Sequence, residues 1–215
     1  MTVDKSSFTK LRRKDRAVED VERLEAMLRD APYLMYSTAV DNQPFTHVNT
    51  FVYEKESHAL YMHTAITGTV RDNILKNEKV SFAVANMGRL LPAKTAKEMS
   101  VEYNSVFGTG TAEIMTDLKT GRDKMQLLVD KYFPHLKSGE DYAHLTEAAC
   151  KEITIIKISI TSWSGKAKKA EADFAGAFRF GNRFRISKIT IIRKFCRGRI
   201  LFAKISSSIY FVLYR

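Results

Sequence analysis

The sequence predicts a mainly β fold with flanking helices, built as a closed or half-closed antiparallel barrel of about six strands. Three observations predict it. Segments rich in Val, Ile, Thr, Tyr and Phe alternate with period two, turn residues separate them, and few helical stretches intervene. Closure follows because a curled sheet hides strand edges that an open one leaves unpaired. A chain of 215 residues suits one well-developed core with an appendage better than two cores.

The elements follow in order. Residues 1–16 form a basic arm with no apolar stretch. Asp15 is expected to cap a helix running to about residue 30, because Ala17, Val21, Leu24 and Leu28 recur at spacings of three and four, and Pro32 ends it. Residues 33–40 read as a strand, Asp41-Asn42-Gln43-Pro44 as a turn, and 45–54 as one second strand with Thr46, Val48, Thr50 and Val52 on one face. A third strand is expected at 59–64, a short helix at 69–77, and a fourth strand at 79–85 with Val80, Phe82 and Val84 on its apolar face.

Residues 87–99, which include Gly88 and Pro92, have no clean period and predict a loop or short helix beside a site. Residues 100–115 predict a long strand in which Gly108 and Gly110 permit a bend or bulge. Asp117 caps a predicted helix carrying Leu118, Met125, Leu128, Val129, Tyr132 and Phe133, which Pro134 stops. Residues 152–163, with Ile153, Ile155, Ile158 and Ile160, supply the last strand.

Charge is distributed unevenly. The net charge is +11, but residues 176–215 hold ten of the 35 Lys and Arg and no Asp or Glu, so the body before them is nearly neutral. Two cysteines, Cys150 and Cys196, are too few for a disulfide framework or a zinc cluster. No stretch reaches the roughly 18 apolar residues that span a bilayer, and no leader is visible, so the reducing cytoplasm is the expected compartment. The five histidines show no zinc spacing and no Ser/His/Asp or Cys/His arrangement is evident. Metal and covalent catalysis are not expected.

The segment His63-Thr64-Ala65-Ile66-Thr67-Gly68-Thr69-Val70-Arg71-Asp72-Asn73-Ile74 combines a strand end, a glycine turn and a helix start. Gly68 permits a tight turn, Thr69 offers a hydroxyl and an amide, and Arg71 adds a cation at a helix terminus that already favours an anion. This segment resembles the phosphate-binding turn of the pyridoxamine 5'-phosphate oxidase-like flavoproteins, in the branch related to 5-nitroimidazole resistance proteins. Met87-Gly88-Arg89-Leu90-Leu91-Pro92, Ser100-Val101-Glu102-Tyr103, Asp130-Lys131-Tyr132-Phe133-Pro134-His135-Leu136 and Trp163-Ser164-Gly165-Lys166 resemble further signatures of that branch in the same order. The resemblance runs from about residue 12 to about residue 180.

The resemblance implies a six-stranded antiparallel split β-barrel over residues 17–181, a homodimer, and two FMN molecules at the subunit interface. His63, Thr64, Gly68, Thr69 and Arg71 would then hold the phosphate. His47, Val48 and Asn49 would run along the isoalloxazine ring, and Trp163 and Lys166 would reach the flavin of the other subunit. Val70 stands where family members often carry Lys, which leaves Arg71 as the nearest cation. Other readings stand beside these: Arg71 as a helix-surface residue, His63 as a structural histidine, His47 to Asn49 as an ordinary strand face, and Trp163, the single tryptophan, as core.

FMN would carry the redox chemistry, so no acid–base residue is required of the protein. The implied activity is an FMN-dependent oxidoreductase reducing nitroaromatic or quinone-like small molecules with a nicotinamide donor. The alternative is a non-catalytic carrier of flavin, or of haem or a deazaflavin in the same cleft. Pyridoxamine 5'-phosphate oxidase activity ranks below both, since no basic constellation for a second phosphate is visible. Beyond residue 181 the resemblance stops, and residues 182–215 have three readings: a basic arm for nucleic acid or anionic lipid, an added strand pair, or unevolved sequence. The third is preferred, because the preceding domain looks complete and residues 209–214 form an apolar run that would promote aggregation.

Overall fold

The computed structural model describes residues 9–170, 178–179, 201–205 and 209–213. The chain divides into two compact units, Met1–Phe178 and Arg179–Arg215. In the second, strands Leu201–Ile205 and Ile209–Leu213 pair as an antiparallel hairpin. Among the described residues no helix is long and apolar enough to cross a membrane. Cys196 lies outside the described residues.

In the first unit, a short 3-10 turn at Lys14–Arg16 leads to β1 (Ala17–Val18), α1 (Val21–Asp30), β2 (Leu34–Val40), β3 (Gln43–Asn49), β4 (Val52–Glu54) and β5 (Ala59–Ala65). There follow α2 (Thr69–Lys76), β6 (Lys79–Leu91), β7 (Ser100–Ile114), α3 (Leu118–Tyr132), α4 (Glu147–Cys150) and β8 (Ile153–Lys168). The sheet is antiparallel with strand order β3-β2-β6-β7-β8-β5-β4, and β1 adds to β8. It is a split barrel rather than a closed one. The two ends of the path, β3 and β4, are consecutive in sequence but do not pair.

That split corrects the expectation of one strand over 45–54. The alternation of Thr46, Val48, Thr50 and Val52 continues through the break, but the chain changes partner there: β3 pairs with β2, and β4 pairs with β5. The backbone at the break is satisfied from α3. The Tyr132 hydroxyl accepts from the Phe51 N–H at 3.2 Å and donates to the Pro32 carbonyl at 2.7 Å, while the Phe51 side chain is fully buried. Lys131 sits over the Phe51 ring, its Nζ 3.8 Å from the centroid, and this buried amine has no hydrogen-bond partner.

Two further expectations shift. Asp20, not Asp15, caps α1 by accepting from the Glu22 N–H at 3.0 Å, because residues 17–18 are taken up by pairing with Lys166 and Gly165 of β8. The loop expected over 87–99 is shorter: β6 continues to Leu91 through a register shift between Met87 and Leu90, and residues 92–99 are the irregular connection. The Glu102 carboxylate holds the shifted stretch of β6. It accepts from Arg89 Nε at 2.8 Å, Arg89 Nη2 at 2.7 Å and the Ala170 N–H at 2.8 Å. Asp117 caps α3 as expected, and the predicted bulge lies between Thr109 and Gly110 of β7. At Gly108 a Cβ would meet the Ser162 carbonyl oxygen at 2.4 Å, so glycine there permits β7 and β8 to approach.

The main core joins Leu24 and Leu28 of α1 to Leu34, Tyr36, Leu60, Met62, Val84, Val106, Ile156 and Ile158 of the sheet. A second cluster, with Ala59, Tyr61, Met125, Leu128, Cys150 and Ile155, lies beneath α3 and α4. Each buried Leu or Ile contributes roughly 1.5–3 kcal/mol. Cys150 is buried in this second cluster, and burial pushes its thiol pKa up, away from nucleophilic use.

Candidate functional site

Strand β5 is buried on both faces over its first four residues and becomes solvent-facing at His63, where it leaves the core. The chain then turns through Gly68, whose φ of +135° suits only glycine, and enters α2. Helices α1, α3 and α4 each have a side-chain cap, from Asp20, Asp117 and Thr146, whereas α2 has none. The leading amides of α2 therefore lack an intrahelical partner. Arg71, half-buried in the first turn, makes no hydrogen bond or ion pair among the described residues. Asp72 in the same turn tempers the positive field.

Helix α2 is held in place by its asparagines. Asn73 Nδ2 donates to Thr38 Oγ1 at 2.9 Å and Asn77 Nδ2 donates to the Ala39 carbonyl at 2.8 Å, which pins α2 to β2. Asn49, the last residue of β3, donates through Nδ2 to the His63 carbonyl at 2.9 Å. That bond spans the open seam between β3 and β5. Through it Asn49 meets the corner that carries His63, Thr64, Gly68, Thr69 and Arg71, with His47 and Val48 just before it on β3.

His47 stacks on Tyr36 of β2, with ring centroids 5.3 Å apart. Burial lowers the His47 pKa, so the imidazole is neutral, and its Nε2 is buried without a partner. The Tyr36 hydroxyl, also buried and unbonded, has its pKa pushed up to about 12 by desolvation, against a smaller pull from the nearby Asn49 amide. Two orphaned polar atoms thus lie side by side at one edge of the site. Tyr36 escaped the sequence reading because alternation makes it an ordinary core residue. Val48 is 62% exposed on the outer face of β3.

Within one chain Trp163 and Lys166 lie away from this corner; their expected place is against the flavin of the other subunit. Trp163 is only 3% exposed and packs edge-on to His58 at 4.8 Å, with Tyr53 at 6.3 Å, so of its two readings the core position is the one observed. Lys166 lies at the far end of β8, where its ammonium is 5.5 Å from the Phe107 ring centroid. Beside the seam, Met35, Ser37, Thr46, Phe82, Ala83 and Phe107 line a mostly apolar cavity of about 490 Å³.

Comparison with known proteins adds to this geometry. The profile of the family described as pyridoxamine 5'-phosphate oxidase matches residues 20–167. No curated protein matches the chain. Among solved structures, one similar chain, from Bacteroides thetaiotaomicron, carries a name assigning it to 5-nitroimidazole antibiotic resistance. It is 18% identical with a TM-score of 0.58, over 71% of this chain and 90% of that one. A flavocytochrome from Azotobacter vinelandii is 17% identical with a TM-score of 0.67, over 90% of this chain and 91% of that one. An FAD- and haem-binding protein from Mycobacterium smegmatis is 19% identical with a TM-score of 0.62, over 76% and 82%. At these identities the likeness concerns the fold.

Proposed function

The chain belongs to the pyridoxamine 5'-phosphate oxidase family, and on that premise we propose that it is an FMN-dependent oxidoreductase whose flavin phosphate sits at the β5–α2 corner. The observation that carries this reading is the uncapped start of α2 behind Gly68, with an unpaired Arg71 in its first turn. The residues suit the group. Backbone amides of α2 and the Thr69 hydroxyl would donate to phosphate oxygens, Arg71 would supply fixed charge, and His63 and Thr64 would complete the rim. His47 Nε2 and the Tyr36 hydroxyl, buried and unbonded, offer partners to the polar edge of a flavin laid along β3. Trp163, in the core, takes no part.

When bound, the flavin supplies electron transfer to and from small molecules, and the protein's share is to hold and orient it. The substrate class proposed is nitroaromatic or quinone-like, with a nicotinamide donor, in a cytoplasmic enzyme. A homodimer is proposed through the outer face of β3 and β2, where exposed Val48 and the apolar cavity at Met35 and Ala83 await cover.

The test is the visible spectrum of purified full-length protein after FMN is added and excess removed. Stoichiometric flavin absorbance that falls roughly tenfold or more in affinity on Arg71→Ala supports the site. A colourless protein, or an affinity indifferent to Arg71, refutes it. Because the similar protein from Mycobacterium smegmatis carries FAD in its name, the flavin released from protein purified without addition should be identified; FAD there would replace FMN in this reading. A Soret band instead of a flavin spectrum would favour the haem carrier.

A further inference from the structure

The β5–α2 corner is short of positive charge for a phosphomonoester, which carries about −1.5 to −2 at pH 7. Arg71 offers one unit, Asp72 in the same turn opposes it, and Val70 beside them is buried in the main core. A further cation lies on another helix. Lys131, in the last turn of α3, has a buried Nζ with no hydrogen-bond partner, and among the described residues it makes no ion pair. Asp30 acts on it only at longer range. Its close contacts are aromatic: the Phe51 ring centroid at 3.8 Å and that of Tyr132 at 5.2 Å. Phe51 places this amine beside the corner. Val52 pairs with Tyr61, and Asn49 bonds the His63 carbonyl at 2.9 Å, so Phe51, between them in sequence, lies at the level of Met62, next to His63. The Tyr132 hydroxyl, bonded to the Phe51 N–H, fixes the end of α3 against that stretch.

We infer that Lys131 is the second cation of the phosphate corner and sets its preference for a phosphomonoester dianion over uncharged riboflavin and over the singly charged phosphates of FAD. This rests on the reading that the corner holds the flavin phosphate. A buried amine without a partner weakens the empty protein, and burial holds its pKa down to about 8. An anion close by reverses that balance: the ammonium gains a partner, and the energy withheld in the empty protein is returned on binding. A lysine serving the fold alone would be better replaced by an apolar residue, since the Phe51 ring offsets only part of the desolvation. This charge comes from α3, while the amides and Arg71 come from α2, so the phosphate is met by cations on two elements.

Titration of the full chain with FMN, FAD and riboflavin at pH 7, followed by flavin absorbance, tests the inference. Lys131→Met should weaken FMN roughly tenfold or more, weaken FAD less, and leave riboflavin unchanged. Cooperative urea unfolding checks that the variant is folded. In NMR of protein carrying isotope-labelled lysine, the Lys131 amine, assigned by its loss in Lys131→Met, should titrate at higher pH with FMN than without it. An FMN affinity that falls with Arg71→Ala but not with Lys131→Met overturns this inference and leaves the corner as the phosphate site. Equal losses of FMN and riboflavin in Lys131→Met, or an amine whose titration FMN does not move, overturn it as well. FMN binding indifferent to both Arg71 and Lys131 overturns the corner itself.

Discussion

Lys131→Met removes a buried, unbonded amine and replaces it with an apolar side chain of similar length. Desolvation lowers the Lys131 pKa from its ordinary 10.5 to about 8, which corresponds to about 3 kcal/mol against the charged form. The Phe51 ring beneath the ammonium, 3.8 Å away, returns about 0.5–2 kcal/mol of that. Solvent that reaches the partly covered side chain screens part of the penalty, so at pH 7 the variant should be more stable than the unaltered protein by about 0.5–2 kcal/mol. The pH dependence follows from the depressed folded-state pKa. Below pH 8 the amine is protonated both folded and unfolded, and the penalty is present in full. Between 8 and 10.5 the unfolded chain holds the proton while the folded chain has lost it, so the unaltered protein gains stability as pH rises. Above that window the two proteins converge. Urea unfolding followed by the fluorescence of Trp163 at pH 7 and pH 10 measures this directly. A Lys131→Met protein that is less stable at pH 7, or a difference that is the same at both pH values, would refute the reasoning.

Gly68→Ala meets no atom within 4 Å, so its effect comes from the backbone alone: a φ of +135° should lower stability by about 1–3 kcal/mol in urea unfolding, together with FMN affinity. Gly108→Ala drives a Cβ to within 2.4 Å of the Ser162 carbonyl oxygen and 2.6 Å of the Phe82 ring, and should lower soluble yield and Tm more than Gly68→Ala does. Glu102, held at a pKa of about 2 chiefly by its hydrogen bonds from Arg89, stabilises the fold above its unfolded pKa and ceases to as pH falls towards 2; Glu102→Gln should lower Tm at pH 7 and leave it unchanged near pH 2. Deleting residues 182–215 should leave the FMN dissociation constant unchanged in the same absorbance titration.

Where one face of a strand is buried and the other wet, the sequence was a reliable guide. Val80, Phe82 and Val84 of β6 sit where alternation puts them, whereas the isoleucines of β8 serve both faces, Ile156 and Ile158 in the main core and Ile155 in the cluster under α3. Alternation reports faces, not partners, and so it could not show the exchange at Phe51, where the same period continues while the neighbouring strand changes. The start of α1 was misread because Asp15 and Asp20 are equally good caps, and only the pairing of Ala17 and Val18 with β8 decides between them. The Gly68 corner was legible because its chemistry is local: strand end, glycine and helix start lie within a dozen residues. The His47–Tyr36 pair was not, because it is assembled from two strands.

Strand β8 pairs with β7, β5 and β1, yet it is the last long strand of the domain. During synthesis β1 and β5 thus emerge well before the strand that completes them. At about 5–20 residues added per second, the interval from Ala17 to its partner Lys166 is roughly 7–30 s. For that time the edge of β1 stands open in the nascent chain, with those of β5 and β7 open for successively shorter intervals, and a chaperone that shields unpaired strands has its longest window on this protein before residue 153 leaves the ribosome.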